Sequence, residues 1–231
     1  MRNRYVIATI KSWNINNFER LAGRFRQDEF ILIKDKDELT LERLRKAAPR
    51  YVFFPHWSWV IPKVIYEGFE CVVFHMTDLP FGRGGSPLQN LLERGIYHTK
   101  ITAIRAGAGM DTGDVYFKED LDIGTGSADD ILSRASDIIF EKMIPRLAAE
   151  HPAPVPQKGE PTVFKRRTPE QSEIPDGLSQ RQVYDYIRML DGEGYPAAYV
   201  RKGTGKIFFT NARHENGIVS AEARFEKGGD V

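Results

Sequence analysis

The chain has 231 residues, with 33 Lys and Arg against 32 Asp and Glu (net charge +1) and 41% hydrophobic side chains. That is enough apolar material for one domain with a small appendage. The balanced charge argues against a protein that holds nucleic acid by bulk electrostatics. No apolar run nears the roughly 18 residues that span a bilayer. The opening Met1-Arg2-Asn3-Arg4 carries no signal-peptide core. The single cysteine, Cys71, excludes a disulfide framework, and its setting in Cys71-Val72-Val73-Phe74 reads as a small buried hydrophobe. The expectation is a soluble, cytoplasmic protein with no membrane partner.

In chain order, Tyr5–Ile10 reads as a strand, Asn17–Arg26 as a helix and Phe30–Lys34 as a strand. Leu39–Ala48 follows as a helix, Tyr51–Phe54 as a strand ended by Pro55, and Pro62–Glu67 as a short helix. Glu70–His75 is the most apolar strand, which predicts a central parallel position covered on both faces. Ser86–Arg94 is a helix with Pro87 at its first position, and Lys100–Arg105 and Val115–Leu121 are strands. Ser127 and Asp130 form a capping box ahead of an apolar stripe, Ile131, Ala135, Ile138, Ile139, Met143 and Leu147, with Pro145 expected to kink or shorten the last turn. Such alternation predicts an α/β chain with a mostly parallel sheet and helices on both faces.

Residues 151–161 hold four prolines and read as a stiff connector. Beyond them come a helix, Gln180–Leu190, and three strands, Ala197–Arg201, Lys206–Asn211 and Ile218–Phe225, the last two joined by an Asn216-Gly217 hairpin turn. The expected division is residues 1–155 as a main domain and 156–231 as a small α+β appendage packed on it. The tail carries 12 basic and 11 acidic side chains, so it is not a basic arm. Its exposed strands are compatible with a homodimer.

Two segments depart from scaffold chemistry. His75 ends the apolar strand and leads into Met76-Thr77-Asp78-Leu79-Pro80-Phe81-Gly82-Arg83-Gly84-Gly85. Ligands of open α/β sheets bind beyond strand carboxyl ends. The second segment, Gly107-Ala108-Gly109-Met110-Asp111-Thr112-Gly113-Asp114, is a glycine-rich loop with two carboxylates. A histidine and an aspartate brought together make an acid/base pair. Read singly, His75 is equally a structural histidine, and Asp111 and Asp114 are equally turn caps. Gly107 and Gly109 lack the rest of a dinucleotide fingerprint. The five histidines show no ligand-pair spacing, so no metal is expected.

These segments resemble the folate-dependent formyltransferases, a group that includes glycinamide ribonucleotide, methionyl-tRNA and nucleotide-sugar N-formyltransferases. The matching stretches are His75, then Thr77-Asp78-Leu79-Pro80 with Arg83-Gly84, and Met110-Asp111-Thr112-Gly113-Asp114, in the family's order and spacing. Trp59-Val60-Ile61-Pro62 resembles the family's Ile-Leu-Pro turn. The likeness is good over residues 50–150 and weak elsewhere. One position departs from it: the family's asparagine two residues before the histidine is Val73, which cannot donate to a developing oxyanion. His56, Ser58 and Asn14 are the other donors at predicted strand ends.

The resemblance implies a Rossmann-like fold and transfer of a formyl group from N10-formyltetrahydrofolate to a primary amine, with His75 as proton shuttle and oxyanion partner and Asp111 orienting its ring. The implied folate pocket is Trp59, Ile61, Pro62, Leu79 and Pro80, with Gly109, Met110 and Thr112 at the pterin edge. The short, charge-balanced tail resembles the part that follows the catalytic domain in nucleotide-sugar N-formyltransferases. The expected acceptor is therefore a nucleotide-linked amino-deoxy sugar for surface glycan (lipopolysaccharide) biosynthesis, with no nucleic acid partner. Its contacts are expected at Lys11, Trp13, Asn14, Arg83, Gly84, Lys165 and Arg166. The alternatives are methionyl-tRNA or another amine as acceptor, a formyl-folate hydrolase, and an inactive folate-binding module.

Overall fold

The computed structural model describes residues 3–25 and 27–227. In chain order the elements begin β1 (Arg4–Ala8), α1 (Ser12–Arg24), β2 (Glu29–Ile33), α2 (Leu41–Ala47), β3 (Tyr51–Pro55), α3 (Lys63–Tyr66), β4 (Cys71–His75) and β5 (Arg83–Gly84). They continue through α4 (Pro87–Glu93), β6 (His98–Arg105), β7 (Val115–Asp122), α5 (Ala128–Ile138), α6 (Ile144–Glu150) and β8 (Val163–Phe164). The last are α7 (Gln180–Arg188), β9 (Ala198–Lys202), β10 (Gly205–Glu215) and β11 (Ile218–Glu226). Two compact units result. One holds the chain up to Arg83, Lys100–Leu121 and Ser133–Val163; the other holds Gly84–Thr99, Asp122–Leu132 and the chain from Phe164 on.

The first unit carries a six-stranded sheet in the order β2-β1-β3-β4-β6-β7. β1 to β4 run parallel and β6 antiparallel to β4. Alternate side chains on these strands point to opposite faces. Tyr5, Ile7, Tyr51, Phe53 and Val72 on one face, and Val6, Ala8, Val52, Phe54 and Cys71 on the other, are all at most 1% exposed. Burial on both faces explains why β3 and β4 read as unbroken apolar runs. The Cys71 thiol is pushed up to about 12 by burial and by the Glu70 carboxylate, which makes it the inert hydrophobe expected. The mostly parallel α/β architecture with a C-terminal antiparallel sheet matches the fold class read from the sequence.

Three local readings need correction. α1 starts at Ser12 rather than Asn17 (its expected end, Arg26, lies outside the described residues, as do Met1 and Arg2). The face that α1 buries in its first turns is amide rather than apolar. Asn14 donates to Thr9 Oγ1 and the Pro55 carbonyl, and Asn17 to Ser136 Oγ, so hydrophobic periodicity gave no sign of it. Pro145 does not shorten the last turn of its helix. The chain widens into one π-helical stretch, Ile139–Met143, and continues as α6 to Glu150. A wider turn accommodates a residue that cannot donate its backbone hydrogen bond. The proline-rich stretch is also no free connector. Val155 exchanges backbone hydrogen bonds with Val115 at 2.7 and 2.9 Å, and Gln157 is hydrogen-bonded on both sides of its amide.

In the second unit α4 packs on α7, and α7 on β10 of the antiparallel sheet β11-β10-β9. Ser179 and Gln182 cap α7 reciprocally. Asn216 and Gly217 turn β10 into β11, both with positive φ, the geometry for which Asn-Gly is suited. α7 buries charge on its inner face: Asp185 accepts from Arg188 Nε at 2.7 Å, Arg181 Nε at 3.0 Å and the Tyr97 hydroxyl at 2.7 Å. Among the described residues no helix is long and apolar enough to cross a membrane.

Candidate active site

The parallel order of β3 and β4, paired through Pro55 and Phe74, puts His75 and the loop after β3 at the same end of the sheet. His75 is 7% exposed. Its Nε2 lies 2.7 Å from the Gly82 carbonyl. A carbonyl only accepts, so Nε2 carries a proton. Nδ1 lies 3.5 Å from Asp111 Oδ2. Asp111 comes from a loop that leaves β6 beside Cys71, where the Ala106 amide donates to the Cys71 carbonyl. The loop must turn back along β4 to reach the histidine. It does so with Asp111 at φ 53°, in the left-handed region. Gly113 sits so close to the Arg105 carbonyl oxygen that an added Cβ would stand 1.7 Å from it. Two residues far apart in sequence are thus brought side by side.

Arg83 donates from Nε and Nη2 to Gln157 Oε1 at 3.1 and 2.8 Å. Gln157 Nε2 donates to the carbonyls of Asp111 and Gly113 at 2.8 and 2.9 Å. Gln157 went unnoticed in the sequence because a lone glutamine between prolines matches no motif. Val73, in the position of the family's asparagine, packs against Leu79, Ile104 and Val115.

The other expected site residues are distributed as follows. Trp59 is 40% exposed and edge-on to Trp57, and Met110 is 69% exposed. Ile61 is half-buried against the sheet, Pro62 precedes α3, and Leu79 and Pro80 are buried. Thr112 is exposed, and a Cβ on Gly109 would stand 2.3 Å from its hydroxyl. Near the start of α1, Lys11 Nζ lies 5.4 Å from the Trp13 ring centroid, and Trp13 meets His56 edge-on. Asn14 is fully buried and also approaches His56 Nδ1 at 3.1 Å. Gly84, Lys165 and Arg166 belong to the second unit. There Gly84 has φ 104°, the Lys165 carbonyl accepts from Asn90 Nδ2 at 3.0 Å, and the Lys165 and Arg166 side chains are exposed.

Burial, reinforced by the Lys11 ammonium, holds the His56 imidazole down at about 4. An unfolded chain would protonate it near pH 6.5. The neutral ring's contribution is therefore complete above about pH 6.5 and is lost as pH falls through about 4. The linked loss is about 3 kcal/mol. Urea unfolding at pH 7 and pH 4 should show that extra loss for the native chain relative to His56→Asn, a residue that tolerates the positive φ found there. Equal losses in both proteins would contradict it.

Comparison with known proteins bears on the family and the fold. A family model described as the methionyl-tRNA formyltransferase C-terminal domain matches residues 169–226. The methionyl-tRNA formyltransferase of Rickettsia felis is 25% identical over 84% of this chain and 63% of its own length. That of Bacillus cytotoxicus is 29% identical over 73% of this chain and 55% of its own length. The chain thus spans only about half to under two thirds of these relatives. A solved structure of methionyl-tRNA formyltransferase from Clostridium thermocellum superposes with a TM-score of 0.95 at 53% identity, covering 98% of this chain and all of that one. A sugar N-formyltransferase from a Shewanella species shares the fold, with a TM-score of 0.69 over 90% of this chain and 96% of its own, but only 12% identity. These findings overturn the amino-sugar acceptor and the surface-glycan role expected from the short tail, because the strong sequence likeness lies with the methionyl-tRNA enzymes. Tail length and charge balance misled because neither records which amine the site receives. Full-length coverage of the Clostridium thermocellum protein at 53% identity places the chain in the folate-dependent formyltransferase family, whose members take their formyl group from N10-formyltetrahydrofolate.

Proposed function

We propose that this chain is an N-formyltransferase that moves the formyl group of N10-formyltetrahydrofolate to the α-amine of methionyl-tRNA. The observation that carries the reading is the 53% identity to the Clostridium thermocellum enzyme over that enzyme's whole length, combined with the buried His75–Asp111 contact. The residues present fit a folate donor. Trp59 and Val60, at His75's end of the sheet, leave 40% and 87% of their surface exposed, an apolar face of the kind a pterin ring covers. Gly107 and Gly109 leave the first part of the Asp111 loop exposed.

The donor supplies an activated formyl carbon; the chain supplies proton control. Amide formation requires the attacking amine to lose a proton and the departing folate nitrogen to gain one. His75 holds a proton at Nε2 and can exchange it with both nitrogens. The Asp111 carboxylate beside Nδ1 keeps the ring oriented and faces the positive charge while the ring carries the transferred proton. With Val73 in place of the asparagine, the reading also assigns His75 as the partner of the developing oxyanion. In the second unit, the exposed Lys165 and Arg166 suit the acceptor's phosphates.

Tetrahydrofolate release, followed with N10-formyltetrahydrofolate and successive acceptors, tests the reading. Release that requires methionyl-tRNA is expected. Release with free amino compounds only, or with water alone, would replace this reading by another acceptor or by a hydrolase.

A further inference from the structure

Gln157 joins two parts of the first unit through one carboxamide. Its oxygen accepts from Arg83 Nε and Nη2, and its nitrogen donates to the carbonyls of Asp111 and Gly113. The amide's orientation follows from chemistry: a guanidinium only donates and a carbonyl only accepts, so oxygen must face Arg83 and nitrogen must face the loop. All four hydrogen bonds are between 2.8 and 3.1 Å, and together they use both donors and both acceptor positions of the side chain.

What this amide grips is the backbone of the residue that faces His75. Asp111 has φ 53°, a left-handed conformation that an L side chain adopts at a penalty of about 1 kcal/mol or more. Such a conformation persists only when its surroundings hold it. Within the Asp111–Gly113 turn, two of the backbone carbonyls are held by this single side chain. Gln157 in turn sits two residues beyond Val155, which is locked to Val115 at the start of β7 by paired backbone hydrogen bonds. The side chain is therefore anchored to the sheet and reaches from it to the loop.

From this we infer that Gln157 is a positioning residue, whose amide holds the Asp111 carboxylate against His75. The inference builds on the catalytic roles of His75 and Asp111 given under Proposed function. Gln157→Glu is the sharpest variant. It is isosteric and keeps an acceptor for Arg83, but it presents an oxygen where the two loop carbonyls need a donor.

The primary readout is the pair of ring carbon–proton resonances of His75, recorded by NMR for the native chain, Gln157→Glu, Asp111→Asn and the double variant. This readout needs no turnover. Gln157→Glu is expected to move the His75 signals in the direction of Asp111→Asn, by at least half as far. The double variant is expected to coincide with Asp111→Asn. Unmoved His75 signals in Gln157→Glu, or a double variant displaced by the sum of the two, would overturn the inference. Gln157→Met, neutral and of similar length, serves should the glutamate variant fail to fold. In formyl transfer, Gln157→Glu should lower kcat about 10-fold or more with a donor KM within twofold, and by less than twofold in the Asp111→Asn background. A native chain without formyl transfer whose His75 signals follow the expected pattern would remove the function and leave the positioning role standing.

Discussion

His75→Asn is expected to lower formyl transfer by about 10²–10⁴-fold and to leave the dissociation constant for N10-formyltetrahydrofolate within twofold of the native value. Asparagine is uncharged, polar and smaller than the imidazole, so the pocket beyond β4 should keep its form even though the shorter amide gives up the Nε2 contact with the Gly82 carbonyl. Proton exchange is lost: a carboxamide neither takes a proton from an attacking amine nor gives one to a departing nitrogen. Steady-state rates and equilibrium binding, measured on the same preparation, separate this from a packing role. Parallel loss of binding and turnover would make His75 a structural residue. Retention of full turnover would move the proton chemistry to another group.

The second large effect lies in the other unit. Asp185→Asn is expected to destabilise it by about 3–5 kcal/mol. Asp185 is 3% exposed and Arg188 is 1% exposed, and the carboxylate is the anionic partner of that guanidinium. Arg188 donates from Nη1 to the Gly126 carbonyl at 3.0 Å, while its Nη2 is buried without a partner. Neutralising Asp185 takes from the buried Arg188 guanidinium the carboxylate it is paired with, and also weakens the hydrogen bonds from Tyr97 and Arg181. Removing both charges, as Asp185→Leu with Arg188→Met, should recover most of the loss, since the desolvation of the pair then disappears with it. Denaturant unfolding of the three proteins decides the matter. A single variant within about 1 kcal/mol of the native chain would show that the charge is compensated elsewhere.

How much of this was legible in the sequence depended on whether a residue's role is local. β3 and β4 announced themselves because a strand buried on both faces must be apolar at every position. The β10–β11 turn did so because Asn216-Gly217 tolerates positive φ at both residues. The first turns of α1 did not, since the buried groups there are the amides of Asn14 and Asn17, whose value lies in distant partners such as Pro55 and Ser136. The same holds at the site. His75 and Asp111 were readable as chemistry-bearing types in glycine-rich surroundings. Gln157, a lone polar residue in a proline-rich stretch, became visible only once its four hydrogen bonds were laid out. The acceptor was least legible: two adjacent basic residues, Lys165 and Arg166, and a short tail are compatible with several phosphorylated amines.

Formylation of an aminoacyl amine through His75 is open to a direct test by transfer of a labelled formyl group. N10-[14C]formyltetrahydrofolate and methionyl-tRNA would be incubated with the native chain and with His75→Asn, the aminoacyl ester hydrolysed, and the released amino acid identified. Labelled N-formylmethionine from the native chain, reduced at least 10²-fold in the variant, is the predicted result. Label found only on water or on a small amine, or equal formylation by the two proteins, would contradict it.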